Sequence, residues 1–222
     1  MRSNLILKKL ILALVITCSV FGNANADSQI EAPDIHVGDY WRFRTVDGFT
    51  NETTLEFTQR VVEVNDHEIV IQLQNKSIKK TELRYYNRHW NSLDVGSTKF
   101  DPYYPAFKFP MSVGVTWRQE FRSTSTNGQS NSAFMNGKVL ALEKVTVPAG
   151  IFDAYRIESD IESHGTDANA NSSKGHKTTW YAPAIKYYVR SEITVSSEGR
   201  VRSKSVDELV EYSLRDQSGK KN

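Results

Sequence analysis

Apolar and polar residues alternate along much of this chain, and the alternation indicates sheet structure. It is clear over residues 41–45, 69–74 and 187–196. A period of two is that of a β-strand with one face on a core and the other toward water. Turn-forming dipeptides separate the alternating runs at the spacing of hairpins; they are Asp47-Gly48, Asn65-Asp66, Asn127-Gly128, Asn136-Gly137 and Glu198-Gly199. The pattern predicts an all-β protein.

The last alternating segment has two possible interpretations. Val206, Leu209, Val210 and Leu214 fit one face of a helix, whereas Val210, Tyr212 and Leu214 alternate, and we favour a strand. With that choice the predicted strands lie near residues 39–46, 53–64, 67–75, 80–93, 115–124, 131–146, 152–163, 175–182, 186–196 and 200–214.

Two stretches break the alternation. Residues 101–110 contain three prolines, and proline cannot donate a ladder hydrogen bond, so we expect no central strand there. Residues 165–175 are small and polar and are expected to form a long hairpin tip. The sequence shows no internal repeat, heptad or domain linker. We predict a single antiparallel, strongly curved sheet that forms an open or closed barrel, with a two-layer β-sandwich as the alternative.

The first residues have the composition of a secretory signal peptide. Basic residues at Arg2, Lys8 and Lys9 precede an apolar run over residues 10–20, and Ala24-Asn25-Ala26 offers a cleavage site. The run is shorter than the about 20 apolar residues of a membrane span, and no later segment is long and apolar enough. We predict a signal peptide over residues 1–26, a periplasmic location, and a single β-rich domain over residues 27–222. A short disordered tail is expected over about residues 216–222.

Cys18 is the single cysteine and lies inside the predicted signal peptide. Lipidation of Cys18 is an alternative to cleavage after Ala26, although Thr17 stands where a small residue is expected. A mature chain without cysteine forms no disulfide and has no thiolate for nucleophilic catalysis or metal binding. Removing the signal peptide takes three of the 28 basic residues and none of the 26 acidic ones, which leaves a net charge near −1. No overall positive field favours nucleic acid.

Four segments, taken in order, resemble the DUF3108-like (also called TapB-like) family of bacterial envelope proteins. They are VGDYWRF at residues 37–43, FPMSVGVTW at 109–117, VTVPAGIFDAYRI at 145–157 and WYAPAIKYYVR at 180–190. Lys186 stands where the family often has glycine. The resemblance implies an all-β, periplasmic or envelope-associated domain, and it implies no catalytic residues.

Motifs for catalysis are absent from the sequence. There is no G-x-S-x-G, H-E-x-x-H, P-loop or G-x-G-x-x-G pattern. His164 and His176 flank the predicted polar hairpin tip and, with Asp160 or Asp167, are the remote candidates for a metal or hydrolase site. We expect no enzyme activity, no metal and no cofactor.

Aromatic residues carry the functional hypothesis. Tyr103, Tyr104, Phe107 and Phe109 lie on the proline-rich stretch, where four rings would either line the mouth of an apolar pocket or cover one end of the sheet as a plug. The first interpretation predicts a non-enzymatic binding module for an apolar or lipid-like ligand. The alternative is a structural or interaction module with a solid core, which docks an envelope protein through a sheet edge or loop.

Overall fold

The chain folds into one closed, antiparallel β-barrel. The computed structural model describes residues 29–75, 80–166 and 172–215 of the 222 residues. Within these ranges each strand pairs with its neighbours in sequence, and the last strand pairs back onto the first. The strands are β1 (Tyr40–Asp47), β2 (Thr53–Val64), β3 (Glu68–Asn75), β4 (Lys80–Asn87), β5 (Ser92–Val95), β6 (Thr98–Tyr104), β7 (Thr116–Ser125), β8 (Ser130–Val147), β9 (Gly150–Gly165), β10 (Ser172–Ala182), β11 (Tyr187–Ser197) and β12 (Arg200–Ser213).

The predicted fold class is confirmed in its closed-barrel form, and the two-layer sandwich is not formed. The last predicted segment is strand β12 and not a helix. The predicted signal peptide at residues 1–26 and the predicted tail at about residues 216–222 lie outside the described residues, as does part of the hairpin tip predicted at residues 165–175. Across the described ranges, no helix has the length and hydrophobicity needed to span a membrane.

The two ends of the barrel differ. Consecutive strands are antiparallel, so successive connections lie at opposite ends of the barrel. We call the end with the β1–β2 and β11–β12 turns the upper end. The lower end carries the connection over residues 105–115, a 3-10 helix at Pro183–Ile185 and the segment 29–39 that precedes β1. A bridge between Ile30 and Met111 joins two of these segments, so the lower end is covered by chain outside the strands.

An aromatic core fills the lower half of the barrel. The ring centroids of Trp90 and Tyr187 are 4.4 Å apart, and those of Trp41 and Trp90 are 5.8 Å apart. Both indole N–H groups are paired: Trp41 Nε1 donates to the Ile185 carbonyl oxygen, and Trp90 Nε1 donates to the Lys186 carbonyl oxygen, each at 2.9 Å. Full burial of a large apolar side chain contributes about 1.5–3 kcal/mol, so these rings anchor the lower end.

The strand predicted over residues 80–93 is interrupted by a turn. β4 ends at Asn87, and Trp90 has a left-handed backbone with a φ of 59° before β5 begins. The Asn87 side-chain oxygen accepts hydrogen bonds from the backbone N–H groups of His89 and Asn91, both at 3.0 Å. The turn directs the Trp90 ring into the core. Burial of this ring favours the turn over the continuous strand that the alternating sequence predicted.

The expectation that residues 101–110 form no central strand is wrong for their first part, because β6 pairs with both β5 and β7. Residues 101–104 belong to β6, whereas 105–110 are irregular as predicted. The ladder between β6 and β7 ends at Asp101. Pro102 follows this last pair, so its missing N–H costs no ladder hydrogen bond toward β7.

Asn136-Gly137 is not a turn, although the dipeptide predicted one. Both residues lie inside β8, where Gly137 is paired with Trp117 of β7. A side-chain carbon at position 137 would overlap the Trp117 indole ring. Glycine is therefore used here for close approach of an aromatic ring and not for chain reversal.

Candidate functional site

Phe107 and Phe109 lie in the core at the lower end of the barrel. Both side chains are buried, and each ring centroid lies 5.4 Å from that of Tyr181. The backbone N–H of Phe107 donates a hydrogen bond of 2.9 Å to the side-chain oxygen of Asn91. These contacts place the two phenylalanines as a plug beneath the barrel interior.

The two tyrosines of the predicted aromatic site lie at the start of the same connection. Tyr103 and Tyr104 are half-buried. The Tyr104 ring packs against Phe100 and Phe121, with both centroids 5.6 Å away. Of the four predicted site residues, Tyr104 and Phe107 line a cavity inside the barrel. The structure therefore brings two of the four to one internal space.

Two adjoining cavities occupy the barrel interior. The inner cavity has a volume of about 200 Å³ and lies directly above the plug. The outer cavity has a volume of about 320 Å³ and lies toward the upper end, between Leu55, Asn75 and Glu82. Arg84 and Asp207 line both cavities and mark their boundary. We call the two cavities together the lumen.

Several charged side chains point into the lumen because they occupy inward-facing positions on their strands. Arg84 stands two residues before the buried Tyr86 on β4, and Asp207 stands two residues before the buried Leu209 on β12. Lys177 stands two residues before the buried Thr179 on β10 and also lines the inner cavity. Residues two apart on a strand share a face, so each charge points inward.

The functional candidates of the lumen were missed by sequence reasoning. Gln59, Arg84, Lys177 and Asp207 lie on predicted strands, but no sequence pattern assigned them to the interior of the sheet. For Gln59, Arg84 and Asp207 the available signal was a spacing of two from an apolar residue on the same strand, whereas Lys177 stands two residues from the polar Thr179. This spacing is informative only when the inward-facing side of each strand is known. Charged residues on the inward-facing side make that side look solvent-exposed.

Two polar pairs hold the boundary between the cavities. The Arg84 Nε donates a hydrogen bond of 2.9 Å to Glu82 Oε1, and the Thr45 hydroxyl donates one of 2.6 Å to Asp207 Oδ1. Burial acts to lower the pKa of Arg84, but neighbouring Tyr86 and Glu82 outweigh it and the pKa is raised. Arg84 therefore stays a cation in the lumen.

Burial is the largest influence on the pKa values of Asp207, Tyr187 and Tyr188. It raises the pKa of Asp207, and the Thr45 hydrogen bond, Lys177 and Arg84 oppose the shift only in part. Burial likewise raises the pKa of Tyr187 and Tyr188 well above the ordinary value. Both phenols are therefore neutral at physiological pH and have hydroxyl groups that donate and accept hydrogen bonds.

Gln59 presents a hydrogen-bond acceptor without a partner. Its side chain lines the inner cavity, the residue is 2% exposed, and Oε1 is buried without a hydrogen bond. A buried polar atom left unpaired costs about 1–3 kcal/mol. Across the same cavity, Lys177 Nζ lies 5.8 Å from the centroid of the Tyr104 ring.

The histidines proposed as a remote metal or hydrolase site are not brought together. On the β9–β10 ladder His164 is opposite Ser172, whereas His176 is opposite Asp160 four positions further along. His164 Nδ1 lies 2.8 Å from the Ser172 hydroxyl, and His176 Nδ1 lies 2.8 Å from Asp160 Oδ1. Asp167 lies outside the described residues. Within 29–75, 80–166 and 172–215, no three His, Cys, Asp or Glu side chains cluster as metal ligands would.

The fold and the lumen define a closed antiparallel β-barrel with a polar internal cavity. The chain belongs to the DUF3108-like family, whose model matches residues 64–206. Among curated proteins, none matches the chain significantly.

Two of the solved structures with a similar fold are bacterial proteins. A protein of Parabacteroides distasonis, provisionally described as a lipoprotein, has a TM-score of 0.55 and 14% identity, over 84% of this chain and 100% of the other. A protein of Bacteroides fragilis, provisionally described as exported and as having a YmcC-like fold, has a TM-score of 0.50 and 18% identity, over the same shares. At these identities the likeness concerns the fold.

Proposed function

We propose that this protein is a non-enzymatic, exported cell-envelope protein that binds a small molecule in its lumen. The observation that carries the proposal is the inner cavity of about 200 Å³, which has a buried, unpartnered acceptor at Gln59 and a lysine in its wall. A concave site with a few convergent polar groups is the usual form of a small-molecule site. The outer cavity lies toward the upper end, so we expect the ligand to enter from that end.

The location rests on the N-terminus and on the similar structures. Residues 1–26 have the sequence of a cleavable signal peptide, which would deliver the chain to the periplasm. The proteins of similar fold are provisionally described as a lipoprotein and as an exported protein. Cleavage after Ala26 is the favoured outcome, and lipidation at Cys18 is the alternative.

The charges of the lumen bear on the kind of ligand. The sequence predicted an apolar or lipid-like ligand near Tyr103–Phe109. A wholly apolar molecule in the inner cavity would remove water from Arg84, Lys177 and Asp207 without replacing its hydrogen bonds, which is costly. The ligand that suits this cavity therefore has polar groups, with apolar parts limited to the aromatic walls.

A protein-docking module is the weaker interpretation. It predicts a filled interior and an exposed sheet edge for β-augmentation. The described strands pair in a closed ring, and the ring encloses cavities, so both features favour a ligand over an edge-docked partner.

Native mass spectrometry of the protein purified from its own envelope, followed by solvent extraction, tests the proposal. We expect a non-covalent small-molecule adduct that is released by extraction. Ser191→Phe places a ring in the inner cavity and is expected to remove the adduct. Ser213→Phe, on an exposed residue of β12, is the matched control and is expected to retain it. A bare chain mass for both wild type and control contradicts the proposal.

A further inference from the structure

The charged side chains at the inner cavity are matched in sign. Arg84, Lys177 and Asp207 line this cavity, and Arg84 is already paired with Glu82 of the outer cavity through a hydrogen bond of 2.9 Å. Lys177 and Asp207 remain as one positive and one negative charge, so a cationic ligand would meet Lys177 and an anionic ligand would meet Asp207. Like charges in a partly buried site repel strongly, so the balance favours a neutral ligand.

The uncharged polar groups of the inner cavity include both donors and acceptors. Gln59 Oε1 is an acceptor in need of a donor. The hydroxyl groups of Ser92, Thr179 and Ser191 also line the cavity and can do either. A ligand hydroxyl matches such a wall, because it donates one hydrogen bond and accepts others.

Aromatic rings supply the rest of the inner wall. Trp90, Tyr86, Tyr187 and Tyr188 line the cavity at its lower side. Aromatic faces carry partial negative charge, which attracts the weakly positive C–H groups of an aliphatic ring. A volume of about 200 Å³ is below the roughly 300–1,000 Å³ of sites for drug-sized ligands, so the cavity holds a single ring.

We infer that the inner cavity binds one neutral, hydroxyl-rich ring, that is, a single sugar unit, with a ligand hydroxyl donating to Gln59 Oε1. The inference rests on the proposed binding function and specifies its ligand class. The hydroxyls meet Gln59, Lys177 and the serine and threonine side chains, and the C–H face of the ring meets the aromatic wall. A larger molecule would place such a unit in the inner cavity and extend into the outer one.

NMR titration of the purified protein tests the assignment through its tryptophan indole signals. Trp90 lines the inner cavity, whereas the Trp180 indole N–H donates a hydrogen bond of 2.8 Å to Glu143 and serves as an internal control. The probes are glucose, galactose, mannose and N-acetylglucosamine, with glucuronate and dodecanoate as charged comparators. We expect at least one neutral sugar to shift the Trp90 signal saturably and to leave Trp180 unchanged.

Two lumen variants and one control identify the groups responsible. Gln59→Met keeps the side-chain volume and removes the acceptor, and Lys177→Met removes the ammonium group. Each is expected to weaken the sugar titration about tenfold, the effect of one lost hydrogen bond in a desolvated site. Lys174→Met, on the exposed part of the same strand, is expected to change nothing. Gln59→Met should unfold at no lower urea concentration than wild type, because it removes an unpaired buried atom.

The outcomes separate the ligand class from the binding function. A Trp90 shift with dodecanoate or glucuronate alone overturns the sugar assignment and leaves the binding function standing. Equal sugar affinity in wild type and Gln59→Met overturns the role of Gln59 and the proposed pose. If no sugar shifts the Trp90 signal, the inference is overturned. If, in addition, no small molecule co-purifies with the protein, the proposed binding function is overturned as well.

Discussion

The Thr45 hydroxyl donates a hydrogen bond of 2.6 Å to the Asp207 carboxylate at the seam where β1 and β12 close the barrel. The two residues are direct partners in the ladder, and both face the lumen. A polar pair thus occupies a position that an apolar pair would fill in a solid core. The seam gives the interior a carboxylate whose charge is only partly compensated.

Replacing this carboxylate is expected to stabilise the protein near neutral pH. Burial raises the pKa of Asp207 in the folded protein. Its contribution to stability is therefore complete below the unfolded pKa of about 3.9 and is lost as the pH rises through the folded pKa. Asp207→Asn keeps an acceptor for Thr45 and should have a higher Tm than wild type near neutral pH, with the difference disappearing near pH ~4.

The control for Asp207→Asn is an exposed carboxylate. Asp153 forms a surface ion pair of 2.8 Å with Lys144. Asp153→Asn should change stability by less than about 1 kcal/mol at either pH. Calorimetry at both pH values measures the difference. An Asp207→Asn variant that is less stable than wild type near neutral pH would show that the charged form is well compensated.

The plug is expected to hold the lower end. Phe109→Ala removes a buried ring that contacts Tyr181, and we predict a loss of about 3–5 kcal/mol in the free energy of unfolding by urea. Phe49→Ala is the matched control, because Phe49 is 61% exposed, and it should change this energy by less than about 0.5 kcal/mol. Equal effects of the two substitutions would mean that Phe109 is not part of the core.

Close packing at Gly137 makes a separate prediction. Gly137→Ala forces the Trp117 ring to move and should destabilise the protein by about 1–3 kcal/mol. Gly175 is a strand glycine where a side-chain carbon would meet Ile161 at an ordinary 3.7 Å. Gly175→Ala should therefore be neutral or stabilising by up to about 1 kcal/mol. Urea unfolding of both variants checks the difference, and a destabilised Gly175→Ala with an unaffected Gly137→Ala contradicts this packing.

Processing of the N-terminus is predicted to leave Asp27 as the first residue. Cleavage after Ala26 is expected from the small residues at the end of the predicted signal peptide. Intact mass and N-terminal sequencing of the protein from its own envelope measure the outcome. A chain that begins at Cys18 and carries added lipid mass would instead establish anchoring.

The period of two was sufficient to predict the sheet, because alternation survives in most strands. β12 was ambiguous for a local reason. The β1–β12 register shifts between Arg42 and Phe43, which leaves Val210 as an extra residue between Leu209 and Glu211. Such a β-bulge changes the phase of the alternation. Two consecutive apolar residues, Leu209 and Val210, therefore interrupt the period of two and resemble the pattern of a helix face.

The polar lumen could not be predicted, because alternation does not tell which face is interior. On β4 the apolar Leu83 is 43% exposed while Arg84 points inward, the reverse of the usual order. Only barrel closure brings Arg84, Lys177 and Asp207 from three separated strands into one space. The plug was predicted as one of two options, since the three prolines indicated an irregular connection but not its direction.

A crystal structure of the protein purified from its own envelope tests the central claim most directly. The binding function predicts electron density for a bound small molecule in the inner cavity, within hydrogen-bond distance of Gln59 Oε1 and close to Lys177. Density for water alone at these positions, in protein that also shows no adduct by native mass spectrometry, would contradict it.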